Sequence, residues 1–302
     1  MTPFCSFMND ATSNQPEEWL YQACLVEVLS DKPGNVSPGK DFHDATVADF
    51  IRSAQVAAPQ LAMAPDIGVG RAIYEAVVAT HNTVGHNTNL GILLLLGPLA
   101  AVPLSIALAD GLPDILNGLT VEDADWAFRA IRIAEPGGLG KAESQDVSDS
   151  PTETLLECMQ LAADRDLIAC QYVTTFDDVL KTGVDWLLKS ASNIPEVKRI
   201  GWVALRLMAV HGDSLVARKC GLAASLELQQ RAAGVLEAGW PHTGQSEVQW
   251  QTLDKWLRSD GNQLNPGTTA DMIAAIVFAA IRSGQYQADP NLLQNHPRQA
   301  TS

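Results

Sequence analysis

Gly85-His86-Asn87-Thr88-Asn89-Leu90-Gly91-Ile92-Leu93-Leu94-Leu95-Leu96-Gly97 joins a polar cluster to the most apolar segment of the chain. No charged side chain occurs from Leu90 to Ala109, so we expect this segment to be buried. Pro98 and Pro103 divide the run into pieces of core-helix length, and no basic residues flank it, which favours a core helix over a membrane span. The polar residues at its front end are then held wherever the core places them.

The composition favours packed helices over sheets. Hydrophobic residues make up 46% of the 302 residues but aromatic residues only 6%, whereas β-rich proteins draw on aromatic and β-branched side chains. No alternating strand pattern of convincing length occurs. We therefore predict an all-α fold, a single globular domain of about ten helices over residues 15–284. Residues 1–14 are expected to be a frayed N-terminus and residues 285–302 a loose C-terminal tail.

Capping signals place several helix ends. Thr46-x-x-Asp49 and Thr120-x-x-Asp123 have the spacing of capping boxes. Ser150-Pro151-x-Glu153 is expected to begin a helix that runs to about Tyr172. Further helical patterns cover residues 16–30, 67–80, 176–190, 196–210, 214–238, 246–258 and 268–283. The long Gly/Ser/Asp-rich connection of residues 135–151 has a length typical of functional loops or disordered linkers.

Charge and cysteine content limit the class of protein. With 35 acidic and 20 basic residues the net charge is −15, which disfavours nucleic acid and anionic membranes as partners. An anionic small molecule remains possible where a cation such as Mg²⁺ or a local basic group screens it. The five cysteines are scattered without a Cys-x-x-Cys pair, which is typical of a reduced cytoplasmic protein without a zinc site or disulfide framework. A homo-oligomer is compatible with the sequence.

Standard catalytic motifs are missing. Gly137-Gly138-Leu139-Gly140-Lys141 has no Ser or Thr after the lysine and no first glycine at the required spacing, so it is not a phosphate loop. The chain also has no His-Glu-x-x-His and no Gly-x-Ser-x-Gly. Classical nucleotide folds and zinc hydrolases are therefore disfavoured.

Five short polar clusters remain, each at the end of an element or on an apolar face. They are Lys32-Pro33-Gly34-Asn35 with His43-Asp44, Glu75 with His86-Asn87-Thr88-Asn89, Asp164-Arg165-Asp166, His211-Gly212-Asp213-Ser214 with Arg218, and Asn265-Pro266-Gly267-Thr268-Thr269-Ala270-Asp271. Most can be explained as turns or caps, and Thr268 and Asp271 have capping-box spacing. On a helix, Asp166 would share a face with apolar residues, so its carboxylate needs a partner such as a neighbouring Arg, or a metal.

In their order along the chain and in their residue identities, these clusters resemble those of the triphosphoribosyl-dephospho-CoA synthase family over roughly residues 20–283. The resemblance rests on Lys32-Pro33-Gly34-Asn35-Val36, His43-Asp44, Glu75, Asn87-Thr88-Asn89-Leu90-Gly91, Asp213-Ser214-Leu215-Val216-Ala217-Arg218-Lys219-x-Gly221 and Gly267-Thr268-Thr269-Ala270-Asp271-Met272. Pro136-Gly137-Gly138-Leu139-Gly140 and Asp164-Arg165-Asp166 are most similar to its shorter branch, known from methanogens and from bacteria with methanopterin-linked one-carbon metabolism.

The resemblance implies an all-helical enzyme that takes ATP and 3′-dephospho-CoA. The reaction releases adenine and joins the triphosphoribosyl group to the 2′-hydroxyl of dephospho-CoA, giving the prosthetic-group precursor of an acyl carrier protein. Cleavage of a ribose–adenine bond develops oxocarbenium character, which carboxylates stabilise. A base must take the proton of the attacking hydroxyl, and an acid can assist the departing adenine.

The resemblance also implies roles for the matching residues. We expect catalytic roles for His43, Glu75 and Asp166, with Glu75 or Asp166 as the base or the cation stabiliser. Phosphate and substrate contacts are expected from Lys32, Asn35, Asn87, Thr88, Asn89, Arg218, Thr268 and Thr269. Mg²⁺ is expected to lie at Asp44, Asp213 and Asp271 beside the triphosphate of ATP.

One departure leaves alternatives open. Better-known members have Asn-Thr-His followed by a basic residue and glycine, where this chain has Asn87-Thr88-Asn89-Leu90-Gly91. The acceptor can therefore be CoA-like or another anionic compound, including one in methanopterin-linked cofactor biosynthesis. An N-ribosyl hydrolase would use similar carboxylates and accept water. A helical binding or assembly protein would use the clusters only as caps, and the clusters would then lie apart in space.

Overall fold

The computed structural model describes residues 15–140, 144–190 and 192–296, and every regular element within these ranges is helical. The first half contains α1 (Gln15–Leu29), α2 (Val47–Ala62), α3 (Ala64–Ile67), α4 (Val69–Val84), α5 (Leu90–Ala101), α6 (Leu108–Asn117), α7 (Val121–Ala134), α8 (Leu155–Gln160) and α9 (Leu167–Val173). A π-helix (Asp178–Gly183) then precedes α10 (Val184–Ser190), α11 (Glu196–His211), α12 (Ser214–Cys220), α13 (Leu222–Glu237), α14 (Gly244–Leu257), α15 (Gly267–Arg282) and α16 (Pro290–Gln294). The predicted all-α class is confirmed, with more helices than the ten or so expected.

Two apolar helices form the centre of the molecule. Every residue of α5 except Gly91 is buried, and α15 is buried continuously from Met272 to Ile281. The two helices pack against each other, and α4 and α2 cover α5 from another side. Arg282, in the last turn of α15, donates hydrogen bonds to the carbonyls of Leu99 and Val102, both at 2.7 Å, and so satisfies the C-terminal end of α5.

The run is buried from Leu90 to Val102 apart from half-buried Gly91, but the expectation for the rest is wrong, because the chain leaves the core at Pro103 and the side chains of Leu104 and Ile106 are exposed. Within the described part of the chain, no single helix is long and apolar enough to cross a membrane. One bent pair, Val197–His211 with Ser214–Cys220, passes on length and composition alone.

The two predicted capping boxes form as expected. The hydroxyls of Thr46 and Thr120 accept hydrogen bonds from the backbone of Asp49 and Asp123, at 3.3 and 3.1 Å. Each carboxylate in turn accepts from the backbone N–H of its threonine, at 2.8 and 2.9 Å. These reciprocal bonds define the first turns of α2 and α7.

The predicted single helix from Ser150 to about Tyr172 is wrong. Thr154, not Ser150, is the N-cap, and its partner Glu157 completes a capping box for the short helix α8. The chain then turns, and α9 begins after Asp166, whose side chain accepts from the backbone of Ile168 and Ala169 at 2.9 and 3.2 Å. An aspartate that bonds the following backbone N–H groups competes with continuation of a helix, which is why the helix is interrupted here.

Other helix boundaries also differ from those that the hydrophobic periodicity predicted. The pattern over residues 214–238 is divided at Gly221, which adopts φ +89° between α12 and α13, a conformation that glycine tolerates best. The first part of the 176–190 pattern is π-helical. The expected Thr268–Asp271 capping box is absent, because α15 begins at Gly267 with no side-chain cap from its N-cap residue Pro266.

The ends of the predicted domain are described only in part. Residues 1–14 and 297–302 lie outside the described residues. Inside the expected tail, α16 packs against α1, and the Tyr21 hydroxyl donates to the carbonyl of His296 at 3.1 Å. Ala288 is buried as well. This part of the tail is therefore attached to the core.

Candidate active site

One large cleft collects most of the sequence-predicted residues. Its volume is about 1350 Å³, above the roughly 300–1,000 Å³ typical of a pocket for one small ligand. Ten residues expected at the site line it: Asn35, His43, Asp44, Asn87, Thr88, Asn89, Asp166, Arg218, Thr268 and Asp271. Four others, Lys32, Glu75, Asp213 and Thr269, do not belong to this lining. Residues more than 200 positions apart in the chain thus meet in a space large enough for two substrates.

Asp271 occupies the floor of the cleft at the first turns of α5 and α15. Its carboxylate packs directly on the backbone of Gly91, where a Cβ carbon would overlap Oδ2 and the carboxyl carbon of Asp271. Burial raises the pKa of Asp271 well above its usual range, and the negative charges of Glu27, Asp213 and Asp166 raise it further, with Arg218 opposing them. The protonated form of this carboxyl, which lines the cleft, is therefore favoured.

Glu27 is a site residue that the sequence interpretation missed. It is 3% exposed on α1 and lines the cleft, and after burial its negative charge contributes most to the raised pKa of Asp271. Burial raises the pKa of Glu27 while the charge of Lys32 opposes that change. One signal could have found it: Glu27 follows Leu20 by seven residues and Ala23 by four, on the buried face of α1.

Lys32 holds Glu27 rather than lining the cleft. The Lys32 ammonium is fully buried and lies 3.1 Å from Oε1 of Glu27. It also donates to the carbonyl of Glu27, and to that of Ser30 at 2.9 Å, at the C-terminal end of α1. These contacts satisfy the lysine inside the protein, so its position does not support the predicted phosphate contact.

Asp213 ties two helix N-termini together. Its Oδ1 accepts from the backbone of Leu215 and Val216, at 2.9 and 3.1 Å, as the N-cap of α12. Its Oδ2 accepts from both the backbone N–H and the hydroxyl of Thr269 in α15, at 2.8 and 2.9 Å. Burial raises the pKa of Asp213 to about 6, and these four hydrogen bonds oppose the shift. With both oxygens occupied, Asp213 is a structural carboxylate, which argues against its predicted role as a metal ligand.

Two consecutive basic residues face the cleft from α12. Arg218 lies 3.0 Å from Oδ2 of Asp166 and donates through Nε to the carbonyl of Gly137 at 3.2 Å. Lys219 donates to Oδ1 of Asn265 at 3.1 Å, and burial followed by the charge of Arg218 lowers the pKa of Lys219. Arg218 is thus an arginine partner of the kind that we expected the Asp166 carboxylate to need. The ion pair orients Arg218 beneath the glycine-rich loop.

The Asn87-Thr88-Asn89 segment shapes the entry to α5. Oδ1 of Asn87 accepts from the backbone of Asn89 and Leu90, at 3.2 and 3.0 Å. Thr88 donates to the Ser53 hydroxyl at 2.6 Å, and Asn89 donates to Thr80 at 3.3 Å. These residues line the cleft as well as capping the start of α5, and their predicted substrate contact stays a prediction.

The other predicted residues occupy two different places. Asn35 is buried and donates to the carbonyl of Pro266 at 3.2 Å, which joins the Lys-Pro-Gly-Asn loop to the start of α15. His43 and Asp44 lie on the exposed rim, 3.6 Å apart. Glu75 lies on α4, 3.7 Å from Arg71, away from the cleft lining. Its position therefore does not support the predicted catalytic role.

The structure does not gather the three expected metal ligands. Among the described residues, no group of three or more His, Cys, Asp or Glu side chains has a geometry that could hold a metal ion. Asp44 lies on the rim and Asp271 on the floor of the cleft, while Asp213 is engaged with two helix ends.

Comparison with known proteins identifies the family and the fold. The protein-family model described as ATP:dephospho-CoA triphosphoribosyl transferase (CitG) matches residues 13–289. The crystal structure of an Archaeoglobus fulgidus protein, provisionally described as a triphosphoribosyl-dephospho-CoA synthase, has a TM-score of 0.62 and 23% identity to this chain. The match covers 78% of this chain and 99% of the other, and at that identity it establishes a shared fold. No curated protein sequence matches significantly.

The convergence of the clusters and the family match together remove the alternative of a purely structural helical protein. The chain belongs to the ATP:dephospho-CoA triphosphoribosyl transferase (CitG) family, which are transferases that use ATP and dephospho-CoA.

Proposed function

We propose that the family reaction takes place between the basic pair Arg218–Lys219 and the acidic pair Glu27–Asp271. The observation that carries this proposal is the position of Asp271, whose carboxylate rests on Gly91 at the floor of a cleft lined by both pairs. The cations suit a triphosphate and the carboxylates suit a ribosyl cation, so one cleft presents both kinds of group that the transfer needs.

The triphosphate end is the part of the cleft near α12. Arg218 and Lys219 supply positive charge in a protein whose net charge is −15, and the Gly137 carbonyl and Asp166 hold Arg218 in place. A guanidinium held by two partners loses little conformational entropy when it binds phosphate oxygens. Arg165 also lines the cleft and adds a third cation at this end.

Asp271 is the proposed proton donor to the departing adenine. As the C1′–N9 bond breaks, its electron pair goes to the adenine, which must gain a proton to leave as a neutral base. The raised pKa favours the protonated form of the Asp271 carboxyl, which can supply that proton. The resulting Asp271 carboxylate would then stabilise the positive charge on the ribosyl ring.

Glu27 is the proposed permanent negative charge of the pair. Lys32, 3.1 Å away, opposes the rise that burial causes in the Glu27 pKa, whereas the charges of Glu27, Asp213 and Asp166 raise the Asp271 pKa further, so the proton is assigned to Asp271. Two carboxyl groups in different environments are thereby assigned different tasks. Lys32, expected to contact phosphate, would act instead by holding Glu27.

Mg²⁺ is proposed to enter the cleft with ATP. Mg²⁺ is usually bound by one or two carboxylates together with substrate phosphates, so it does not require a three-ligand protein cage. Asp44 is the expected ligand that fits, because its charge acts on Lys219 at the phosphate end and its carboxylate is 67% exposed. Bound there, the ion would neutralise part of the triphosphate charge. Asp44→Asn should then raise the Mg²⁺ concentration needed for half-maximal adenine release.

The acceptor is tested by product analysis. The protein is incubated with ATP and Mg²⁺, with dephospho-CoA, with a panel of other anionic hydroxyl compounds, or with no acceptor. Mass spectrometry then identifies the products. The proposal expects adenine and a triphosphoribosyl adduct only when dephospho-CoA is present. Adenine release without an acceptor would identify an N-ribosyl hydrolase, and an adduct with another acceptor only would change the substrate assignment.

A further inference from the structure

His211 is a cleft residue with an unused side chain. It is the last residue of α11, its side chain is 22% exposed, and it lines the same cleft as Asp271. Its Nε2 is buried and accepts or donates no hydrogen bond within the described part of the chain. The proposed roles of Glu27, Asp271 and the basic pair leave one task open, the removal of the proton from the attacking hydroxyl.

A carboxylate stands next to this imidazole. Oδ1 of Asp178 lies 3.6 Å from Nε2 of His211, beyond hydrogen-bond distance but within reach of a small shift. The second oxygen of Asp178 accepts from Nε2 of Gln171 at 2.9 Å, and Gln171 is fully buried. Asp178 opens the π-helix, a rare conformation that is frequent at functional sites. If the 3.6 Å gap closed to a hydrogen bond, the three side chains would align as a base, an orienting acid and a buried support, an arrangement typical of catalytic histidines.

A second histidine offers a comparison. His86 also lines the cleft and has a buried Nε2 without a hydrogen-bond partner. Among the described ion pairs, however, His86 has no carboxylate within 4.0 Å, whereas His211 has Asp178. A carboxylate fixes the tautomer of an imidazole and stabilises the imidazolium that forms, so the geometry favours His211.

We propose that His211, oriented by Asp178, is the general base that deprotonates the acceptor hydroxyl. With Nε2 directed at Asp178, Nδ1 is the nitrogen that takes the proton. The acceptor oxygen then forms its bond to C1′ as the C1′–N9 bond breaks, and adenine takes its proton from Asp271. The C-terminal end of α11 favours the imidazolium that results. This assignment rests on the proposed function, because it requires an acceptor alcohol in the cleft.

The test is chemical rescue. In His211→Ala the side chain is replaced by space that free imidazole can enter. We expect kcat for adduct formation from ATP and dephospho-CoA to fall by about 10²–10⁴-fold, with KM for ATP changed by less than about threefold. Added imidazole should restore kcat at least tenfold. His242→Ala, at an exposed turn outside the cleft, is the matched control and should retain kcat and show no response to imidazole.

A purely structural role would not respond to imidazole. A His211→Ala protein that binds ATP normally and either keeps its kcat or loses it without rescue would overturn the assignment. If His211→Ala does not fold, His211→Gln keeps the side-chain volume, and full kcat in that variant would equally overturn it. Failure of the wild-type protein to form the adduct would instead overturn the proposed function, and the base assignment with it.

Discussion

The carboxylate of Asp271 lies directly on the backbone of Gly91, so the start of α15 contacts the first turn of α5 through this carboxyl group, with no side chain on the α5 side. The side chain of Ile168 closes the same contact, with Cδ1 2.8 Å from the position a Cβ at residue 91 would take. The contact brings the acid to the floor of the cleft, and the glycine is what makes room for it.

Gly91→Ala should displace that acid. The added methyl group would overlap the carboxyl group of Asp271, and overpacking of this kind costs about 1–3 kcal/mol of stability. Because the proton donor moves, kcat should fall by roughly 100-fold with a smaller change in KM. Urea unfolding and adenine-release kinetics measure the two effects. Gly234→Ala, inside α13 with no atom within 4 Å of the new methyl group, is the control and should gain roughly 1 kcal/mol with activity unchanged.

Asp271→Asn should remove activity and increase stability at neutral pH. The raised pKa means that the folded protein binds the Asp271 proton more tightly than the unfolded chain does. The stability linked to that proton is present below the unfolded pKa and is lost as the pH rises towards the folded pKa. The asparagine variant carries no such loss, so its melting temperature should exceed that of the wild type by a margin that grows with pH.

The matched control for that experiment is Asp185→Asn. Asp185 is half exposed in a surface pair with Lys189, so its melting temperature should follow the wild-type pH dependence. A constant difference between Asp271→Asn and wild type from pH 4 to pH 8 would contradict a raised pKa for Asp271.

Lys32→Met should destabilise the protein strongly. Removal of one partner leaves the carboxylate of Glu27 buried and unpaired, which costs about 3–5 kcal/mol. The double variant Glu27→Gln with Lys32→Met should recover most of that stability but remain inactive, because Glu27 is missing. Lys181→Met, at an exposed surface pair, serves as the control. Urea denaturation midpoints measure the stability of each variant. Equal losses of stability in the single and double variants would mean that the unpaired Glu27 charge does not cause the destabilisation.

Arg218→Ala should weaken ATP binding. The loss of a charge-assisted phosphate contact is worth about 1.5–3 kcal/mol, or roughly a 10–100-fold increase in KM for ATP. Arg218→Lys should recover only part of the effect, since an ammonium cannot reproduce the paired contacts with Asp166 and Gly137. Arg231→Ala, in an exposed pair with Glu227, is the control and should bind ATP normally. Unchanged ATP affinity in Arg218→Ala would show that the phosphates of ATP do not bind at this end of the cleft.

Asp213→Ala should affect folding rather than metal binding. It deprives α12 and α15 of the same cap, and we expect a loss of about 2–4 kcal/mol. At a temperature where the variant is folded, the Mg²⁺ dependence of ATP binding should equal that of the wild type. A large increase in the Mg²⁺ requirement would restore the predicted role of Asp213 as a metal ligand.

Much of the architecture follows from local sequence. The uncharged run after Leu90 and the two threonine–aspartate capping boxes specify a buried helix and two helix starts, because they depend only on burial and on neighbouring backbone groups. The interruption at Asp166 was missed, since an apolar spacing pattern does not reveal that the side chain will cap the next segment.

The sequence by itself determined the all-helical class and the family, and ten of its fourteen predicted site residues line the cleft. Only the tertiary structure decided what each polar residue does. Asp213 and Lys32 belong to the same motifs as the cleft residues, yet neither lines the cleft. Asp213 accepts hydrogen bonds at the starts of two helices, and Lys32 is buried against Glu27. Glu27, in none of those motifs, faces the substrate cleft. The physical reason is that a buried charge takes its role from its neighbours in space, and those neighbours are set by packing rather than by spacing along the chain.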